Sequence, residues 1–375
     1  MKLSVICLDK SGFALGLTDW YKVHHRDLPW RNTQDAYAIW ISETMLQQTQ
    51  VRTVVDYYHR FMERYPTLQT LAEAPIDDVL KLWEGLGYYA RCRNLHKAAK
   101  QMMEQHQGQF PQTLEEAQAL CGIGRSTAGA ILSFAYSQSH PLLDGNVKRV
   151  LSRVYDIPDD IQQTSVINRM WAHSETLLRQ SEEPSIYNQA IMELGATVCL
   201  PKNPRCLLCP VKTFCSAAEH GTQHERPVKA GKKPSPHYDI AVGVIWKNDR
   251  VLIQQRPAEG LLGGLWEFPG GKQETGESLQ DTVIREIQEE LELEVQVREP
   301  IITVKHAYTH FKITLHAFHC NYLQGTPEPK ACQAWRWVSP EELPKFAFPK
   351  ANKTVLEKVL AEWQANNSLV SNLNK

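Results

Sequence analysis

The chain has 375 residues, with 41 Lys plus Arg against 42 Asp plus Glu, nine Cys and a net charge of −1. That length favours two domains over one, and a composition 42% hydrophobic and 22% charged excludes a mostly disordered chain. No apolar run approaches the roughly 20 residues of a membrane-crossing helix, and the near-zero charge neither announces a nucleic-acid partner nor excludes one.

The N-terminal apolar stretch before Asp9 is too short for a secretory core, so the cysteines read as reduced thiols or metal ligands before disulfides. From there the apolar spacing is helical. Residues 37–62 carry Ile39, Leu46, Val54, Tyr58 and Phe61 at roughly one helical repeat. The segments 71–83, 94–103, 113–120 and 127–136 behave alike, with Gly or Pro at the joints. The stretch 220–237 is polar, basic and rich in Pro and Gly, as linkers are. Beyond it, 238–246 and 251–255 read as strands, 279–291 as an acidic helix, 301–304 and 311–320 as strands, and 352–365 as a closing helix. The expected boundaries are a helical domain over 1–222, a linker over 223–236 and a mixed α+β domain over 237–375.

Four cysteines, Cys199, Cys206, Cys209 and Cys215, are spaced C-x6-C-x2-C-x5-C, while Cys7, Cys92, Cys121, Cys320 and Cys332 are scattered. Four thiolates in one short segment suit either zinc or an iron–sulfur cluster, and spacing leaves that choice open. Gly122 and Gly124 form a turn leading into a helix whose N-terminus offers N–H groups to an anion, or a plain helical joint with no ligand. Asp144 precedes another helix, where an N-cap is the simplest role. Glu43 lies mid-helix among apolar residues, either solvated on an outer face or placed in a cleft with a raised pKa. Periodicity alone favours the solvated face.

Taken in order, LPWR (28–31), SETMLQQT (42–49), WEGLGYYARCRNLH (83–96), GIGRSTAGAI (122–131), DGNVKRVLSR (144–153) and the four-Cys loop resemble the helix-hairpin-helix DNA glycosylases, and among them the MutY-type adenine DNA glycosylases. The resemblance covers most of the chain. It implies an all-α helix-hairpin-helix glycosylase domain with an iron–sulfur loop, followed by an α+β Nudix-like domain. It also implies base-excision repair of adenine mispaired with 8-oxoguanine or guanine in double-stranded DNA, by a monomer in the cytoplasm at the nucleoid. A base stacked in duplex DNA must be flipped out to be attacked. Glu43 matches the family's general acid, Asp144 the carboxylate that stabilises the oxocarbenium-like sugar, and Asn146 an Asn beside it. Arg26, Leu28, Trp30, Arg31, Leu46 and Thr49 match the adenine pocket, Gln48 and Tyr88 the residues inserted in the stack, and Gln189 a base-contacting position held by Glu in some members. Ser126 stands beside the substrate where strand-cleaving relatives carry a Schiff-base Lys, which implies a monofunctional enzyme. Gly122, Gly124 and Lys148 fall where DNA phosphate is held. The four cysteines match the family's [4Fe-4S] loop, in which Lys202, Arg205 and Lys212 offer charge to phosphate.

Residues 237–375 resemble the Nudix fold of MutT, and Tyr308, Thr309 and His310 match the loop that reads 8-oxoguanine. Gly271, Glu277, Arg285, Glu286, Ile287, Glu289, Glu290 and Leu293 fit the Nudix box, but Glu292 replaces its last Gly. Glu286, Glu289 and Glu290 share one helical face and could gather Mg²⁺ for hydrolysis of oxidised nucleotides. The plainer expectation is a box kept for the fold, because Glu292 disturbs the tight turn.

Overall fold

The computed structural model describes residue 10, residues 12–231 and residues 234–373, with side chains to 367. Cys7 and part of the expected linker lie outside the described residues. In chain order the helices of the first part are α1 (Phe13–His24), α2 (Ala36–Leu46), α3 (Val51–Arg64), α4 (Leu68–Glu73), α5 (Ile76–Trp83), α6 (Ala90–Gln105), α7 (Leu114–Ala119) and α8 (Arg125–Tyr136). They continue as α9 (Gly145–Val154), α10 (Thr164–Leu178), α11 (Pro184–Thr197) and α12 (Ser216–His220). The second part is β1 (His237–Lys247), β2 (Arg250–Gln255), β3 (Trp266–Glu267), β4 (Gly270–Lys272), α13 (Leu279–Leu291), β5 (Glu294–Ala307), β6 (Lys312–Gln324), β7 (Ala334–Val338) and α14 (Lys350–Leu373). Contacts divide the chain into two compact units. One runs to Glu73 and resumes at Asn94, and the other joins Ala74–Arg93 to the chain beyond the linker.

In the helical unit, the single helix expected over 37–62 is two. α2 ends at Leu46, Gln48 takes a left-handed φ of 58°, and α3 begins at Val51. Asp35 caps α2 through the Tyr37 N–H at 3.0 Å. Every residue of Ala36–Met45 except Glu43 is buried. A helix covered on all sides has no solvated face, so the periodicity-based placement of Glu43 on an outer face is overturned. α9 follows the ordinary rule. Asp144 caps it, and Val147, Val150, Leu151 and Val154 join the core that holds Phe13, Leu17, Ile191 and Leu194. Each such fully buried aliphatic contributes about 1.5–3 kcal/mol. α11 approaches α9 closely because residue 195 is Gly. A Cβ there would lie 2.7 Å from Asn146 Cβ.

The second unit is a mixed sheet ordered β3-β2-β1-β6-β5, with β4 on β1 and β7 on β2. β1 and β6 run parallel, His237 opposite Lys312, and the other pairings are antiparallel. Alternation along β1 sends Ala241 and Ile245 towards Val283, Ile287 and Leu291 of α13, and Val242 and Val244 into the cluster holding Val355 and Val359 of α14. A sheet covered on both faces explains why these strands are nearly continuous apolar runs. Residues 74–93, helical and read with the first domain, are bound into this unit by specific hydrogen bonds. Gln255 donates to Asp77 (2.7 Å), Lys81 to the Phe346 carbonyl (3.0 Å), and Lys353 and the Phe348 N–H to Glu84 (2.9 and 3.0 Å).

Candidate active site

α2, α9, α11 and the loop 26–33 enclose a cavity of about 130 Å³, close to the roughly 150 Å³ that admits one benzene ring. Its walls include Arg26, Leu28, Trp30, Arg31, Leu46, Thr49, Gln189, Glu43, Asp144 and Asn146. All ten come together as the sequence resemblance implies. A second chamber of about 360 Å³ shares Glu43, Leu46 and Asp144 with the first and adds Gln48 and Ser126. Ser126 Oγ accepts from the Leu143 N–H at 2.9 Å, which leaves its proton available.

Glu43 is half-buried because it lines both chambers, yet no described residue donates to its carboxylate. Burial, and then the negative charge of Asp144, push its pKa up to about 7, against the opposing pull of Arg31. Asp144 is both cap and pocket residue. Oδ1 accepts from the Val147 N–H at 2.7 Å, and Oδ2 takes Asn146 Nδ2 at 3.3 Å. Burial also raises the Asp144 pKa, while the Val147 and Asn146 N–H groups and the Arg149 charge favour its ionised form. Arg149 in turn donates to Asn146 Oδ1 (2.9 Å) and to the Gly195 carbonyl (2.6 Å), holding the amide against the cap. Two carboxyls in one pocket, one unpartnered and one surrounded by donors, can serve as acid and as anion.

Sequence reasoning missed Glu193. It is fully buried, and Arg26 Nε and Nη2 meet its two oxygens at 2.6 and 2.8 Å while Arg31 Nη2 adds a third contact at 2.7 Å. Burial would raise its carboxyl, but the hydrogen bonds and charges of both guanidinium groups outweigh that and hold it below the usual range. The available signal was a lone acid in the apolar run Ile191-Met192-Glu193-Leu194, one helical turn after Gln189.

The hairpin between α7 and α8 requires Gly122, which has φ +76° and no room for a Cβ beside Asn94. Gly124 has ordinary geometry and caps α8 from open space. Lys148 is half-buried on α9. Cys199, Cys206, Cys209 and Cys215 are free thiols lining one pocket. Arg153, 2% exposed, donates to Cys199 Sγ at 3.2 Å. Among the described residues no three His, Cys, Asp or Glu are gathered as a single ion requires. A four-iron cube spreads its ligands more widely, and four thiols with a buried cation beside them are the donor set it takes.

In the second unit Tyr88 is 40% exposed with φ +50°, and its hydroxyl meets Thr309 Oγ1 at 3.0 Å. Tyr308 is half-buried, stacked on Phe311 at 4.8 Å, while Thr309 and His310 are exposed. Glu286 and Glu290 border a cavity of about 670 Å³, but the Nudix carboxylates are taken by protein partners. Arg285 takes Glu277 (2.8 Å), Glu286 (3.0 Å) and Glu289 (3.1 Å), and Glu290 accepts from Gln254 Nε2 (2.7 Å) and the Gly270 N–H (3.2 Å). The expected Mg²⁺ site at Glu286, Glu289 and Glu290 is therefore not supported, nor is hydrolysis of oxidised nucleotides there. The turn that Glu292 was expected to disturb is formed, with Glu292 at φ +54° and bound to Lys330 at 2.9 Å.

Residues 41–174 match the family model described as HhH-GPD superfamily base excision DNA repair protein, and residues 241–358 match that of the NUDIX domain. A human protein named adenine DNA glycosylase is 36% identical over 92% of this chain and 73% of its own length. The Buchnera aphidicola (Baizongia pistaciae) protein of that name is 39% identical over 68% of this chain and 73% of its own. The chain belongs to the adenine DNA glycosylase family. Among solved structures, a thermostable thymine-DNA glycosylase superposes with a TM-score of 0.50 at 25% identity, over 56% of this chain and 95% of that one. The matched segment of the glycosylase model takes in Glu43, the Gly122 hairpin and Asp144, while Arg26, Leu28, Trp30, Arg31 and Gln189 of the pocket lie outside it. No helix among the described residues is long and apolar enough to cross a membrane.

Proposed function

We propose that this chain excises adenine paired with 8-oxoguanine in DNA. The observation that carries the reading is one pocket in which an unpartnered Glu43, pushed up to about 7, faces the same space as the donor-rich Asp144. Adenine flipped into the pocket meets Glu43 in its acid form, which donates its proton to N7. The C1′–N9 bond breaks with its electron pair on the base, and adenine leaves neutral. The positive charge left on the sugar faces the Asp144 carboxyl, whose oxygens take the Val147 N–H and Asn146 Nδ2. Water adds to C1′ and its proton returns to the Glu43 carboxylate, leaving an abasic site. With Ser126 in place of an amine, no Schiff base forms and the strand stays intact.

The hairpin at Gly122 and Gly124, with Lys148, holds phosphate, and Gln48 and Tyr88 enter the stack from left-handed turns. Tyr88 and Thr309, in hydrogen-bond contact, read the 8-oxoguanine together with Tyr308 and His310. The four cysteines hold a [4Fe-4S] cluster that shapes the loop bearing Lys202, Arg205 and Lys212 for the DNA backbone. The protein acts as a monomer in the cytoplasm, at the nucleoid. The reading is tested by incubating the full chain with an 8-oxoguanine:adenine duplex and measuring free base. Adenine release by the native chain, lost in Glu43→Gln, with no strand scission before alkali, is the expected result. Equal activity of the two proteins would refute the assignment. Iron and sulfide analysis should give about four of each per chain, and Cys206→Ser should lower both.

A further inference from the structure

Tyr21 of α1 lies outside the pocket lining and is 4% exposed, yet its hydroxyl donates to Gln189 Oε1 at 2.8 Å. Its ring is held on two sides, by His25 stacked at 4.9 Å and by the Arg31 guanidinium 5.4 Å from its centroid. Arg31 is itself fixed by the buried Glu193. Burial pushes the Tyr21 phenol up to about 12, so its proton is present throughout the range in which proteins work. A glutamine amide carries an acceptor on one branch and two N–H donors on the other. With Oε1 taken by Tyr21, the branch left for a ligand is Nε2, whose one contact, Ser185 Oγ at 3.5 Å, is at the outer limit of a hydrogen bond.

We propose that Tyr21 is a positioning residue that sets base specificity: by holding Gln189 Oε1 it commits the amide N–H donor to the pocket, favouring a purine whose N1 is a bare acceptor over a 6-oxopurine, whose N1 carries a proton. The inference rests on the adenine-excision reading above and says how the pocket chooses its base. Glu43 on α2 and Gln189 on α11 line the same cavity, so with N7 at Glu43 the six-membered ring is the part of the base left to Gln189. Adenine N1 offers a lone pair to Nε2. Guanine and hypoxanthine carry N1–H, so two donors would oppose each other and both would be buried unpaired, a mismatch of about tenfold or more in rate.

The test is single-turnover base release by the full chain from duplexes with adenine, hypoxanthine or 1-deazaadenine opposite 8-oxoguanine. Tyr21→Phe removes the hydroxyl and keeps the ring in place. The adenine-to-hypoxanthine rate ratio should fall about tenfold, while 1-deazaadenine, which lacks the acceptor already, should change less than about twofold. Gln189→Leu should lower the ratio as much, and the double variant no further, as two members of one chain of contacts require. Thermal melts verify that all variants are compared folded. Uniform slowing on the three duplexes with an unchanged ratio would overturn the inference and leave the excision reading standing. So would a ratio lowered by Gln189→Leu and not by Tyr21→Phe. No adenine release by the native chain would instead overturn the excision reading, and this inference with it.

Discussion

Two half-buried glutamates, one in each unit, are pushed up to about 7 for the same reasons: burial first, then a second carboxylate, Asp144 beside Glu43 and Glu267 beside Glu290. They differ in what touches them. Glu290 accepts from Gln254 and the Gly270 N–H, and its neighbours Glu286 and Glu289 are held by Arg285. Both border cavities, of about 130 Å³ at Glu43 and about 670 Å³ at Glu290, but Glu43 accepts nothing. A raised pKa therefore marks a strained acid in both places and a usable one in only one. The proton that matters is the one on the acid that no protein donor holds.

The sharpest break in that comparison comes from removing each acid. Glu43→Gln should slow adenine release by about 10²–10⁴-fold, the range of a lost general acid. Asp144→Asn keeps a capping side chain and so the start of α9, but loses the charge facing the sugar, and should slow release by at least about 10²-fold. Glu290→Gln, in contrast, should leave the rate within about twofold, and Glu289→Gln likewise, because protein donors already hold both carboxylates. A larger loss from either would mean that the two regions are alike after all.

Stability should move the opposite way. Both glutamates have folded-state pKa values raised above the ordinary 4.5. Their stabilising contribution is complete below about pH 4.5 and is lost as pH rises through about 7. Denaturant unfolding of the native chain should accordingly weaken between these pH values more than that of Glu43→Gln or Glu290→Gln. Glu43→Gln should then be the more stable protein at pH 8 while inactive. The smallest effect is local. Gly122→Ala places a Cβ 2.7 Å from Asn94 Cβ at φ +76°, and should cost about 1–2 kcal/mol in unfolding free energy while weakening duplex binding.

The helices over 94–103, 113–120 and 127–136, the strand–helix alternation over 238–320 and the gathering of the ten residues around the small cavity were legible, since each rests on local spacing or on a motif read in order. Three features were not. The break after Leu46 is a left-handed Gln48 inside a run of helical periodicity, and non-Gly residues at positive φ leave no compositional mark. Burial of α2 on every face depends on which helices surround it, so the environment of Glu43 could not follow from its own neighbours. The attachment of 74–93 to the second unit depends on contacts such as Asp77–Gln255 and Glu84–Lys353, more than 170 residues apart in sequence. The acidic face of the box misled for a related reason. The i, i+3, i+4 spacing was right, but Arg285, in the same motif, takes two of the carboxylates as partners.

The central claim is that the Glu43 proton, held near neutrality by burial and Asp144, drives base release. It is tested most directly by the single-turnover rate of adenine release from an 8-oxoguanine:adenine duplex, measured for the native chain and Glu43→Gln from about pH 5 to 9. The account predicts a native rate that is highest at low pH and falls through a midpoint near 7, with a slow and pH-independent residue in the variant. A native rate that stays flat or rises across that range, or a variant that keeps the native profile, would contradict it.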